Sequence, residues 1–176
     1  SNPVTLRVTD VNGNTADCIA NAEVEDNVAP AAICVARTVQ LDGNGQVTIV
    51  GSDIDGGSSD ACGIANLGAN PSSFDCEDLG SNNNVTLTVT DVNGNTATCA
   101  SQVTVEDNIA PEAICQDITV QLDANGTVTI VASQVDNGSS DNCMVQSVTV
   151  SPTGFSCQTL GANPVTLTVT DQSSNT

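Results

Sequence analysis

The chain has 176 residues and a formal net charge of −19, with 21 Asp and Glu against two Lys and Arg, Arg7 and Arg37. There is no His, Trp or Tyr, so imidazole general bases, lysine Schiff bases and stacking platforms are missing, and an enzyme is not expected. The negative charge argues against nucleic acid and anionic membranes as partners and for cations. No apolar run nears the roughly 20 residues of a bilayer span, so no direct membrane insertion is expected.

In chain order, "VTLRVT" at 4–9, the turn "DVNGN" at 10–14 and "TADC" at 15–18 read as a hairpin. The linker "VEDNVAP" (24–30) follows, then "TVQL" and "QVTIV" around "DGNG", which read as a second hairpin. After the loop "SDIDGGSSDAC" comes Phe74, placed as a core residue, and then "VTLTVT", "DVNGN" and "TATCASQVTVED" at 85–107. Val85, Leu87 and Val89 share one face of their strand, as do Cys99, Val103 and Val105 of the next. Asp42 and Asp123 read as turn residues. The pattern then begins again with "VEDNIAP" at 105–111.

Cys18, Cys34, Cys62 and Cys76 recur as Cys99, Cys115, Cys143 and Cys157, each shifted by 81 residues, and a third "VTLTVTD" closes the chain. A fixed period of this kind signals a tandem array. The expected division is 1–26 as the last hairpin of a preceding repeat, 27–107 as a complete repeat and 108–176 as a repeat lacking its last strand. The fold class is all-β, a thin sandwich of about seven short strands per repeat. So few large apolar side chains call for staples.

In a seven-stranded sandwich the first and last strands run in the same direction, which predicts Cys34 paired with Cys99. Cys62 with Cys76 and Cys143 with Cys157 then pair locally, and Cys18 and Cys115 find partners beyond the chain. A Cys18–Cys34 bond across the linker is the alternative. Eight Cys at regular spacing place the protein in an oxidising compartment, outside the cell or on its surface.

The Cys after an Ala-Pro linker, the "SSDNC" loop and the closing "VTLTVTDVNGNTATC…VTVED" resemble the hyalin repeat family. The resemblance implies immunoglobulin-like extracellular modules in tandem, serving adhesion or structural display rather than catalysis. "VEDNIAP" is also similar to the linkers of cadherins, in which calcium stiffens the joint between successive domains.

The acidic residues gather at these joints. Strand directions place the linker, the "SDIDGGSSD" loop and the "DVNGN" turn at one end of each repeat. For the first joint the candidate ligands are Glu25, Asp26, Asp53, Asp55, Asp60, Asp91 and Asn93. For the second they are Glu106, Asp107, Asp136, Asp141 and Asp171. Converging carboxylates need a counterion, and oxygen ligands without imidazole or free thiolate suit Ca²⁺. "DVNGN" also reads as a plain hairpin turn, and Asp60 and Asp141 as caps beside their Cys. The expected function is a stiff extracellular stalk or fibre, its partners being neighbouring repeats and other copies of the chain. The alternative is an adhesin recognising carbohydrate or protein through its loops. Asn84, Asn125 and Asn137 begin N-x-Ser/Thr sequons.

Overall fold

A computed structural model describes residues 2–176, which are all-β apart from one α-helical turn and three short 3-10 turns. Strands β1 (Asn2–Thr9) and β2 (Thr15–Ala22) pair antiparallel in unbroken register from Asn2↔Ala22 to Thr9↔Thr15. Asp10 shapes the turn between them: its Oδ1 accepts from the backbone N–H groups of Asn12 and Asn14, and Gly13 supplies the positive φ of +87°. The hairpin buries nothing, because Val4, Leu6, Val8 and Ile19 are all more than half exposed.

The middle of the chain holds β3 (Arg37–Gln40), β4 (Gln46–Thr48), β5 (Ile64–Asn70), β6 (Ser73–Asp75), β7 (Gly80–Asp91) and β8 (Thr96–Glu106). Four of them form a sheet in the order β3-β8-β7-β5, with β3 parallel to β8 and the other pairs antiparallel. The small β4–β6 ladder packs against it through Val47 and Phe74. Alternate residues of β7 and β8 point inward: Val85, Leu87, Val89 and Val103 are fully buried, and Val105 nearly so. With Leu41, Ile49, Ile54 and Phe74 they form one core, each side chain worth roughly 1.5–3 kcal/mol of burial.

Two expectations need correction here. Six strands are present between residues 27 and 107, against about seven expected. "DGNG" makes its turn, with Asp42 N–H donating to the Gln46 carbonyl at 2.9 Å, but the flanking segments do not form a hairpin ladder. β3, before the turn, pairs with the long strand β8, and β4, after it, pairs with β6, because that arrangement brings Val47 of β4 and Phe74 of β6 together against the core.

The last part of the chain repeats this plan on a smaller core. It contains β9 (Thr127–Thr129), helical turn α1 (Ala132–Val135), β10 (Val145–Ser151), β11 (Gly154–Ser156) and β12 (Thr166–Asp171). β10 pairs with β12 as β5 does with β7, and β9 with β11 as β4 does with β6. The isolated bridges Ala31↔Ser59 and Cys34↔Asp55 recur as Glu112↔Ser140 and Cys115↔Asp136. Ile130, Val135, Leu167 and Val169 are its buried apolar residues. "TVQL" at 119–122, identical to 38–41, forms no strand, since no equivalent of β8 lies beside it.

Disulfides staple this frame at two points. Cys34 bonds Cys99 with a Cα–Cα distance of 5.9 Å, as the parallel β3–β8 pair requires. The second bond is Cys76–Cys143, Cα–Cα 5.5 Å, so the expected local pairs Cys62–Cys76 and Cys143–Cys157 do not form. Cys62 lies beside Asp26, at the joint before β3. From there β5 carries the chain away over seven residues, about 20 Å at strand rise, and Cys76 directly follows the three-residue β6, near the following joint. Cys143 waits there. Cys18, Cys62, Cys115 and Cys157 are free and exposed, so the alternative Cys18–Cys34 bond is absent too.

Candidate cation site at the joint

The joint between the middle and last parts of the chain is strapped from several sides. Besides Cys76–Cys143, the Asn142 amide donates to the Asp42 carbonyl and to Asp107 Oδ1, both at 3.2 Å. The Asn108 amide donates to Gln40 Oε1 at 2.7 Å. Asn175 reaches back from the turn after β12 and donates to the Asp107 carbonyl at 3.0 Å and the Ile109 carbonyl at 3.3 Å. Asn95 does the same one joint earlier, donating to the Asp26 carbonyl at 3.1 Å.

Three elements converge on this joint, and each contributes one aspartate. Asp107 comes from the linker, Asp141 from the loop before Cys143 and Asp171 from the end of β12. One oxygen of each lies within 4.8 Å of the other two. Asp107 and Asp171 are only 3 % and 0 % exposed. Asp107 Oδ2, Asp141 Oδ1 and the Asn142 side-chain oxygen are buried with no hydrogen-bond partner. Such orphaned acceptors are rare in folded proteins and expensive unless a donor or a cation meets them. A hard divalent cation such as Ca²⁺, which takes carboxylate, amide and carbonyl oxygens, fits this donor set.

The equivalent residues of the first joint are Asp26, Asp60 and Asp91, with one substitution in the arrangement. Here the group within 4.8 Å is Asp26, Asp60 and Cys62, the free Cys62 thiol resting against Asp26. Hydrogen bonding to Asp26 and its charge, with burial and the charges of Asp60 and Asp91, push the Cys62 thiol pKa up. Asp26 is held below the ordinary carboxylate value by the Val28 N–H, then by Cys62, and in smaller part by the Asn93 side chain. Burial opposes ionisation of Asp91, yet the Asn95 amide and the Asn95, Asn93 and Gly94 N–H groups together lower its pKa. At the second joint the corresponding cysteine is tied to Cys76.

The remaining expected ligands are occupied elsewhere. Glu106 follows inward-facing Val105 on β8, points to the opposite face and accepts from Gln40 at 2.7 Å. Glu25 is exposed and meets only Asn27. Asp53 accepts from the Val50 N–H and caps a short 3-10 turn. Asp55 and Asp136 turn inward to Ser58 and Ser139, and the hydroxyl and N–H of each serine depress their pKa. Asp60 and Asp141 also cap the N–H of their Cys, and Asp42 and Asp123 hold their turns. Asn142 and Asn175 were absent from the sequence expectation. The signal for Asn175 is an Asn four residues after each turn aspartate, at 14, 95 and 175.

No family model, curated protein or solved structure matches the chain. Among the described residues no helix is long and apolar enough to cross a membrane.

Proposed function

We propose that the protein is a structural extracellular array of immunoglobulin-like repeats of about 81 residues, stiffened at its joints by bound Ca²⁺ and, between the middle and last parts of the chain, by the Cys76–Cys143 disulfide as well. The observation that carries this reading is the buried Asp107–Asp141–Asp171 cluster with its orphaned oxygens, set where two similarly built parts of the chain meet. The Cys76–Cys143 bond supports it, because a covalent strap across a joint removes a hinge and implies an oxidising compartment. The hyalin-repeat resemblance and the cadherin-like linkers point the same way. Polar Thr, Ser and Asn on outward strand faces suit a long exposed surface.

Calorimetric titration of the chelator-treated chain with Ca²⁺, alongside small-angle scattering, tests the proposal. Binding that disappears in Asp107→Ala and Asp171→Ala, with a longer and less variable maximum dimension when Ca²⁺ is present, is the expected result. No heat of binding, and a scattering profile indifferent to chelator, would refute the calcium joint.

A further inference from the structure

The two disulfides close loops that overlap. Cys34–Cys99 spans 65 residue steps and Cys76–Cys143 spans 67, and the stretch from Cys76 to Cys99 lies inside both. Every peptide bond between Cys34 and Cys143 is therefore bypassed by at least one sulfur bridge. The linker after β8 carries the backbone across the joint, with Asn108, Ile109 and Ala110 exposed. Cys76–Cys143 runs beside it as a second covalent connection.

Core stability alone does not account for this pattern. In the chain-entropy model a disulfide's contribution grows only with the logarithm of its loop, so short local loops would stabilise each core nearly as well. What the long loops add is a route for force. Cys34 stands just before β3, and Cys99 lies within β8, which runs parallel to β3. Tension arriving before Cys34 crosses to Cys99 and follows β8 to the linker. The core residues Leu41, Ile49, Ile54, Phe74, Val85 and Leu87 all lie on the bypassed chain. Parallel first and last strands pulled from opposite ends also load in shear, so their hydrogen bonds must yield together rather than one by one.

We propose that the chain bears tension, and that the overlapping bonds set its length limit and keep it continuous when one peptide bond breaks. The shortest covalent route from Cys34 to Cys143 crosses the first bond, runs back over the 23 residue steps from Cys99 to Cys76 and crosses the second, in place of 109 steps along the backbone. The fully stretched chain is thus shorter by 86 steps, about 280–310 Å at roughly 3.3–3.6 Å each. The saving is less than the two loops would give separately, because they share the stretch between Cys76 and Cys99. This role rests on the structural reading for the setting in which load arises, and it needs no cation.

Its test stretches residues 1–176, carrying Cys18→Ser, Cys62→Ser, Cys115→Ser and Cys157→Ser, between tags fused at the two ends, in chelator, by single-molecule force spectroscopy. Reduction with dithiothreitol should lengthen the fully stretched chain by about 280–310 Å. In the double variant Cys76→Ser, Cys143→Ser the gain should fall to the 65 steps of the remaining loop, about 210–230 Å. The oxidised chain should also hold at forces that open the middle part after reduction. A protease site inserted after Asn108 should, once cut, leave the oxidised chain tethered under load until dithiothreitol is added, whereas the cut Cys76→Ser chain should part at once. A gain well below these lengths, equal opening forces in the two redox states, or a cut chain that parts without reductant would overturn the proposal. Because chelator is present throughout, none of these results bears on the calcium joint, which stands or falls on the titration above.

Discussion

Replacing Asp107 with Asn tests the joint with a change of sign. Each pair of carboxylate oxygens in the cluster lies within 4.8 Å, a separation at which two unit charges repel by about 3.5 kcal/mol at an effective dielectric of 20. The substitution ends two of the three repulsions, a ceiling of about 7 kcal/mol, of which side-chain rotation and solvent leave about 1–3 kcal/mol as stabilisation. The amide keeps an oxygen to accept from the Ile109 N–H and Asn142, and brings a donor for the orphaned Asp141 and Asn142 oxygens. In chelator the variant should therefore melt higher, by about 2–12 °C for a chain of this size. With Ca²⁺ at about 100 times its dissociation constant the parent gains about 2.7 kcal/mol, whereas the variant, short of a charged ligand, gains less. The order of the two melting temperatures should then narrow or reverse. Differential scanning calorimetry in both buffers measures it. A variant that melts below the parent in chelator, or a parent whose melting ignores calcium, would refute the reasoning.

Removing the Cys34–Cys99 bond by a double Ala substitution opens a loop of 65 residues, and should cost about 4 kcal/mol in urea unfolding. Gly45→Ala should prevent the Cys76–Cys143 bond, because Gly45 has φ +71° and a Cβ there would stand 2.6 Å from Cys76 Sγ and 2.7 Å from the Asn142 carbonyl; thiol counting should find two additional free Cys. The carboxyls of Asp42, Asp55, Asp91, Asp123 and Asp136 all have pKa values below the ordinary 3.8 when folded. The unfolded chain therefore binds protons more readily, so their contribution is fully present well above pH 3.8 and is lost as pH falls through the depressed folded values. Urea midpoints should be flat from about pH 5 to 8 and fall below about pH 4; a midpoint that rises on acidification would contradict these hydrogen bonds.

Strand type, the inward rows of β7 and β8 and the turns at Asp10, Asp42, Asp91 and Asp123 were legible in the sequence. Alternation, Asn-Gly dipeptides and positive-φ glycines act within a few residues. The Cys34–Cys99 bond was legible too, because parallel first and last strands leave little choice at that position. The meeting of acidic residues at the joint was half legible: three loops were expected to converge, and Asp107, Asp141 and Asp171 do. Which other carboxylates point away depended on local bonds, as with Asp55 and Ser58 or Asp136 and Ser139.

Tertiary structure alone decided the rest. Thr38–Leu41 and Thr119–Leu122 have the same four residues, yet Thr38–Gln40 belongs to a strand and 119–122 does not, since a parallel pairing exists only when its partner is present. Cys62 and Cys76 are close in sequence, but β5 sends them to different joints and Cys76 finds Cys143, 67 residues on. Periodicity and turn chemistry are properties of short segments and can be read from the letters. Sheet partners and sulfur partners depend on where separate segments end in space, and that depends on the whole packing arrangement.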